Sequence, residues 1–280
     1  MDYLFQCFWH TSICREGKEY LKGFTEYCDS NYEMTASMLV NAKSFIVTDA
    51  LLEYGRVQGE KRNMVQRLEG LEGMEAYFGC GPELRQGLKD VNDSVAISLF
   101  GENVRGIIQA ETFLLSERGY ASLEAYSKHW DKFYTDSCRY YSNLKHVKHS
   151  WSDYVGNDKR ENIIFTRFKN QQLYRLNSGE YLVSGSLSDS FHEINVVLSL
   201  NGSGTRVIAA KSSFLRVPDA ICRESVDYLR RLEGKDLIGL SKKEIAELLG
   251  KSQGCVHLID IVHDAVTTLS LYIKQVDLKR

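Results

Sequence analysis

The stretch Glu180-Tyr181-Leu182-Val183-Ser184-Gly185-Ser186-Leu187-Ser188-Asp189-Ser190-Phe191-His192-Glu193-Ile194-Asn195-Val196-Val197-Leu198-Ser199-Leu200 decides the fold class. Two runs in it, Tyr181 to Leu187 and Ile194 to Leu200, carry the alternation of strands with one covered face. Ile163 to Phe168 before them and Arg206 to Val217 after them are also β-rich. The turn residues Asn177-Ser178-Gly179 and Asn201-Gly202-Ser203-Gly204 leave no room for a parallel crossover, so an antiparallel meander is expected. Beyond Val217 the period changes. Pro218-Asp219 opens a helix to about Glu233 with Asp219 as N-cap. Ser241-Lys242-Lys243-Glu244 is a capping box for a short helix ending near Gly250. A last helix, expected from after Ser252, places Leu258, Ile261, Val262, Ala265, Leu269 and Ile273 at 3.6-residue spacing. Strands followed by helices give an α+β unit with the helices on one face of the sheet.

The same signals occur earlier in the chain. Glu19-Tyr20-Leu21 precedes Glu180-Tyr181-Leu182 by 161 residues, and Asp29-Ser30 precedes Asp189-Ser190 by 160. Asn41 and Asn201 keep the register, and Arg67-Leu68-Glu69-Gly70 matches Arg231-Leu232-Glu233-Gly234. Farther on, matching Leu99-Phe100-Gly101 to Leu248-Leu249-Gly250 drops the offset to about 148 and implies an insertion around Gly79-Cys80-Gly81-Pro82. The expected architecture is therefore a tandem duplicated unit, each copy an antiparallel sheet of three to four strands followed by helices. A degenerate first repeat would occupy 1–116, a connecting helix and loop 117–160, and a second repeat carrying the site 161–280.

Thirty-five Lys and Arg against 37 Asp and Glu give a formal net charge of −2, which supplies no cationic excess for binding phosphates. No nucleic-acid partner is expected. No run of 18 apolar residues and no basic leader point to a membrane, and seven cysteines without a C-x-x-C pair read as free thiols of a cytoplasmic protein.

Reactive side chains concentrate in the second copy: His192, Cys222, Cys255 and His257. If Asp219 and Ser252 cap their helices, both cysteines fall at the third helical position, where the helix dipole favours thiolate. Two Cys and two His form a tetrahedral set for zinc or iron, or a mixed set for an iron-sulfur cluster. The first copy has Tyr32 in place of His192 and, by the lower offset, Ile107 and Gln109 for Cys255 and His257. The expectation is one metal or cluster site per chain in an accessory, scaffold-like protein. Alternatives are a cysteine-nucleophile enzyme, with Cys255 activated by His257 or His192, and a non-catalytic module docking a partner protein through the aromatic segment Tyr120 to Trp151. A homodimer also fits the composition. Asp260 and Asp264, three and seven residues past His257, are candidates to orient it or to form a solvated acidic face. His129, His146 and His149 form no ligand set.

Asp189-Ser190-Phe191-His192-Glu193, the stretch from Val207 through Pro218 to Cys222, Leu232-Glu233-Gly234 and Gly254-Cys255-Val256-His257-Leu258-Ile259-Asp260 resemble a bacterial family, domain of unknown function 2889. The resemblance covers about Ile163 to Tyr272, with Val256 where the family typically has threonine, and it implies no activity. A fainter resemblance is to U-type iron-sulfur scaffold proteins, carried by Val207-Ile208-Ala209-Ala210, Cys222 at a helix start, Gly234-Lys235, and Cys255 beside His257. It implies cluster or metal binding at Cys222, Cys255 and His257. The middle scaffold cysteine has no counterpart, and the histidine follows Cys255 rather than preceding it.

Overall fold

The computed structural model describes residues 1–58, 60–91, 93–156 and 158–278. Five strands come first: β1 (Asp2–Glu16), β2 (Tyr20–Cys28), β3 (Glu33–Asn41), β4 (Val47–Val57) and β5 (Glu60–Arg67). Helices α1 (Gly81–Gly87), α2 (Ser94–Ala110), α3 (Leu123–Phe133) and α4 (Trp151–Val155) follow. The second series runs β6 (Ile163–Arg175), β7 (Tyr181–Asp189), β8 (Glu193–Leu200) and β9 (Val207–Arg216), then a 3-10 helix at Ala220–Leu232, α5 (Lys242–Leu248) and α6 (Val256–Leu278). The fold is mixed α and β, strands before helices in each series.

The expectation of separate sheets of three to four strands is corrected. One antiparallel sheet of nine strands runs in the order β5-β4-β3-β2-β1-β6-β7-β8-β9. The first strand of each series is the reason: an unpaired row of backbone donors and acceptors is satisfied when β1 and β6 lie side by side. The chain forms two compact units, one of Met1–Cys7, Ser127–Tyr154 and Lys169–Arg280, the other of Phe8–Tyr126 and Val155–Phe168. Both β1 and β6 contribute residues to each unit.

In the second unit named, α2 starts where Asp93 accepts from Val95 N (2.9 Å) and Ala96 N (3.2 Å), and it packs on β2 and β3. In the first, α5 starts on the Ser241–Glu244 capping box, and α6 lays Leu258, Ile261, Val262, Ala265 and Leu269 on β7 and β8, all fully buried. Each large aliphatic among them contributes roughly 1.5–3 kcal/mol by leaving water. Gln171 Nε2 donates to Ile261 O at 3.0 Å, and it passes over Gly185, where a Cβ would lie 2.4 Å from that nitrogen. Only glycine fits there. Residues Val256–Ile273 are long and apolar enough to cross a membrane, but 44% of them are buried within the fold.

Backbone devices recur with a spacing near 160 residues. The β3–β4 pairing shifts register at Glu33/Met34 and Leu39/Val40, and the β8–β9 pairing at Glu193/Ile194 and Ser199/Leu200. Asn41 Oδ1 accepts from Lys43 and Ser44 N, and Asn201 Oδ1 from Thr205 and Arg206 N. Gly73 N donates to Val47 O as Gly234 N donates to Val207 O, both glycines at positive φ, 86° and 77°. The partner of Leu232-Glu233-Gly234 is thus Leu71-Glu72-Gly73 and not Leu68-Glu69-Gly70. Two consecutive Leu-Glu-Gly triplets make the sequence match ambiguous, and the hydrogen bonds decide it. The expected insertion near Gly79-Cys80-Gly81-Pro82 does not occur either, since α1 and α5 begin at Gly81 and Lys242, and α2 and α6 at Ser94 and Val256.

Candidate metal centre

The hairpin turn between β7 and β8 is built by one side chain. Asp189 Oδ1 accepts from Phe191 N and His192 N, both at 2.8 Å, while Asp189 N donates to His192 O at 2.8 Å. This Asx-type closure is what an Asp two and three residues before the receiving amides provides. It brings His192 back over the carboxylate, with Nδ1 at 3.1 Å from Asp189 Oδ1. A proton on Nδ1 donated to that carboxylate leaves the Nε2 lone pair as the outward donor.

His257 completes the group from the first turn of α6. Its ring centroid lies 3.9 Å from that of His192, with 34° between the planes. Asp189, His192 and His257 each offer a ligand atom, and the three atoms lie within 4.8 Å of one another. Bonds from zinc to imidazole nitrogen or carboxylate oxygen are about 2.0–2.2 Å, so small side-chain rotations bring the three donors onto one ion. Asp189 and His192 are buried and His257 is half-buried, which leaves the histidine side open to an incoming ion.

The two cysteines of the sequence-derived set lie elsewhere in their helices' hydrogen bonding. Cys255 precedes α6, its carbonyl accepting from Ile259 N at 3.1 Å, and its sulfur accepts from the N–H groups of Leu258 and His257. It is the N-terminal cap of that helix rather than its third residue, and it holds the place that Asp93 holds before α2. Cys222 is the third residue of its 3-10 helix, with Asp219 Oδ1 accepting from Ile221 N at 2.9 Å. Neither thiol gains the thiolate character expected at a helix start. Burial pushes the Cys222 thiol up to about 12 against the backbone N–H bond that favours thiolate, and burial raises Cys255 further. Desolvation outweighs the helix terminus at both positions. The three-atom group of Asp189, His192 and His257 contains no sulfur.

Neighbouring charges are already engaged. Asp264 Oδ2 binds Lys169 Nζ at 2.8 Å, and Asp260 pairs with Lys242. Asp219 Oδ2 accepts from Lys148 N (2.8 Å) and His149 N (3.1 Å), tying the connecting segment to the 3-10 helix. Burial would raise the Asp219 carboxyl, but these bonds and that of Ile221 N hold it below the usual carboxylate range. His129, His146 and His149 are not part of the ligand group. Asp189 was legible as a motif residue but not as a ligand, and its signal was its position three residues before His192.

Residues 165–270, which hold all of these side chains, match the family model described as Protein of unknown function (DUF2889). The second half of the chain resembles DUF2889. No curated protein and no solved structure matches the chain. The DUF2889 match spans less than half of the 280 residues, and it begins within β6 and ends within α6.

Proposed function

We propose that this protein binds one divalent transition-metal ion, of the zinc or ferrous class, through Asp189, His192 and His257, as a metal-binding accessory protein. The observation that carries the reading is the convergence of these three donors from the β7–β8 turn and the start of α6. Two imidazoles and a carboxylate suit such ions and leave further coordination positions for water or a ligand.

We also infer that the two halves descend from one duplicated unit, supported by the recurring register shifts and turn hydrogen bonds. In the first half Asp29 Oδ1 accepts from Asn31 N (2.6 Å) and Tyr32 N (2.8 Å), and Asp29 N donates to Tyr32 O (2.9 Å). That turn closes without a histidine, so the fold does not require His192. By the α2–α6 offset His257 corresponds to Val95. Both imidazoles are thus additions specific to the second half.

An iron-sulfur cluster at Cys222 and Cys255 and a Cys255 nucleophile both need thiolates, which burial disfavours. The test is metal analysis of anaerobically purified full-length protein beside His192→Ala and His257→Ala. About one equivalent in the wild type and little in either variant is expected. Sub-stoichiometric metal in all three samples would overturn the proposal.

A further inference from the structure

The turn that carries the metal ligands is held from outside by two side chains. Tyr154, on α4, donates its hydroxyl to Phe191 O at 2.6 Å, and Trp151 one turn earlier packs on the Phe191 ring with centroids 4.8 Å apart. From the end of β9, Arg216 Nη2 reaches Asp189 O at 2.7 Å, His192 O at 3.3 Å and Ser188 Oγ at 3.3 Å. Together they take the carbonyls of Asp189, Phe191 and His192, three of the four residues of the turn.

The corresponding arginine of the first half, Arg56, donates instead to the Glu33 carboxylate at 3.5 Å. Arg216 has the same option, since Glu193 Oε2 lies 4.0 Å from its Nη1, yet its closest bond is to the turn. The half that carries two histidines is the half whose arginine turns onto the ligand-bearing loop.

Backbone carbonyls fixed on the outer side of a turn restrict the φ and ψ of the residues whose side chains point inward. Metal affinity depends on such restriction, because groups behind the ligands that hold their orientation typically account for 10–100-fold. We infer that Tyr154 and Arg216 are positioning residues for the Asp189–His192–His257 metal site; the inference rests on the metal reading above.

The experiment is a Co²⁺ titration of the full chain, read by the visible ligand-field bands, with apo-protein melting measured in parallel. Tyr154→Phe removes one hydroxyl and keeps the ring; Arg216→Lys keeps the charge and removes the fork. Each is expected to weaken Co²⁺ binding by about 10–100-fold and to shift or broaden the bands, while apo Tm moves by a few degrees at most. Unchanged affinity and bands in both variants, whatever happens to Tm, would overturn the positioning role while leaving the metal site standing. A wild type that binds no Co²⁺ overturns the metal reading itself, and this inference with it.

Discussion

Two turns of the same molecule, Asp29–Tyr32 and Asp189–His192, share one closure and differ in what hangs on it. In each, an Asp Oδ1 accepts two backbone amides and the Asp N donates to the carbonyl three residues on. In the first, Tyr27 adds its hydroxyl to Asp29 Oδ2 at 2.6 Å; Leu187 stands at the matching place in the second and has no hydroxyl to give. In the second, an imidazole lies on the carboxylate and another stacks against it. The comparison separates the part of the motif that makes a hairpin from the part that makes chemistry. Asp builds the turn in both halves, and the histidines are an addition that folding does not demand.

The largest effect is expected where the halves differ most. His192→Ala or His257→Ala removes one of three donors and should lower metal affinity by at least about 100-fold, with apo stability changed little; retention of full metal by both variants breaks the comparison.

Asp29→Ala and Asp189→Ala test the shared part. Each orphans two buried amides in its turn and should cost roughly 2–4 kcal/mol by denaturant unfolding, but only Asp189→Ala should lose metal as well. Equal metal binding by the two variants would show that the Asp serves the turn alone.

The helix starts differ in their response to pH. Cys222 and Cys255 hold their protons above the ordinary thiol value of 9.0 because burial raises both. The folded state therefore keeps protons that the unfolded chain releases, and stability is complete below about pH 9 and falls as pH rises beyond it. Cys222→Ala should flatten that alkaline decline in a pH series of thermal melts. Asp219 acts with the opposite sign: its lowered folded value stabilises above the ordinary carboxylate range and is lost as pH falls below about 4.

The smallest effect is a gain. Tyr32→His together with Val95→His copies both imidazoles into the first half beside Asp29, and a weak second Co²⁺ equivalent is the expected result. A stoichiometry fixed at one would mean that the matching backbone places the donors differently.

Much of the second series was readable because period-2 alternation between turn residues, followed by caps and 3.6 spacing, are local signals. The Ser241–Glu244 box and the Asp219 cap are where those signals put them. The sheet size was not readable. Whether β1 pairs with β6 depends on which edges meet, and strand edges carry no residue code beyond their backbone groups. Nor was the site fully readable. His192 and His257 were singled out by residue type, but Asp189 looked like turn chemistry, and Cys255 looked like a thiolate until its cap position and burial were visible.

By itself, then, the sequence determined the element types, the repeating devices and the two imidazoles, all of which are set by side chains close together in the chain. Only the tertiary structure decided that one sheet has nine strands, that a turn and a helix start 65 residues apart meet at 3.9 Å between rings, and that the buried thiols stay protonated. These follow from long-range packing and from desolvation, and both depend on what surrounds a residue in space rather than on its neighbours in the chain.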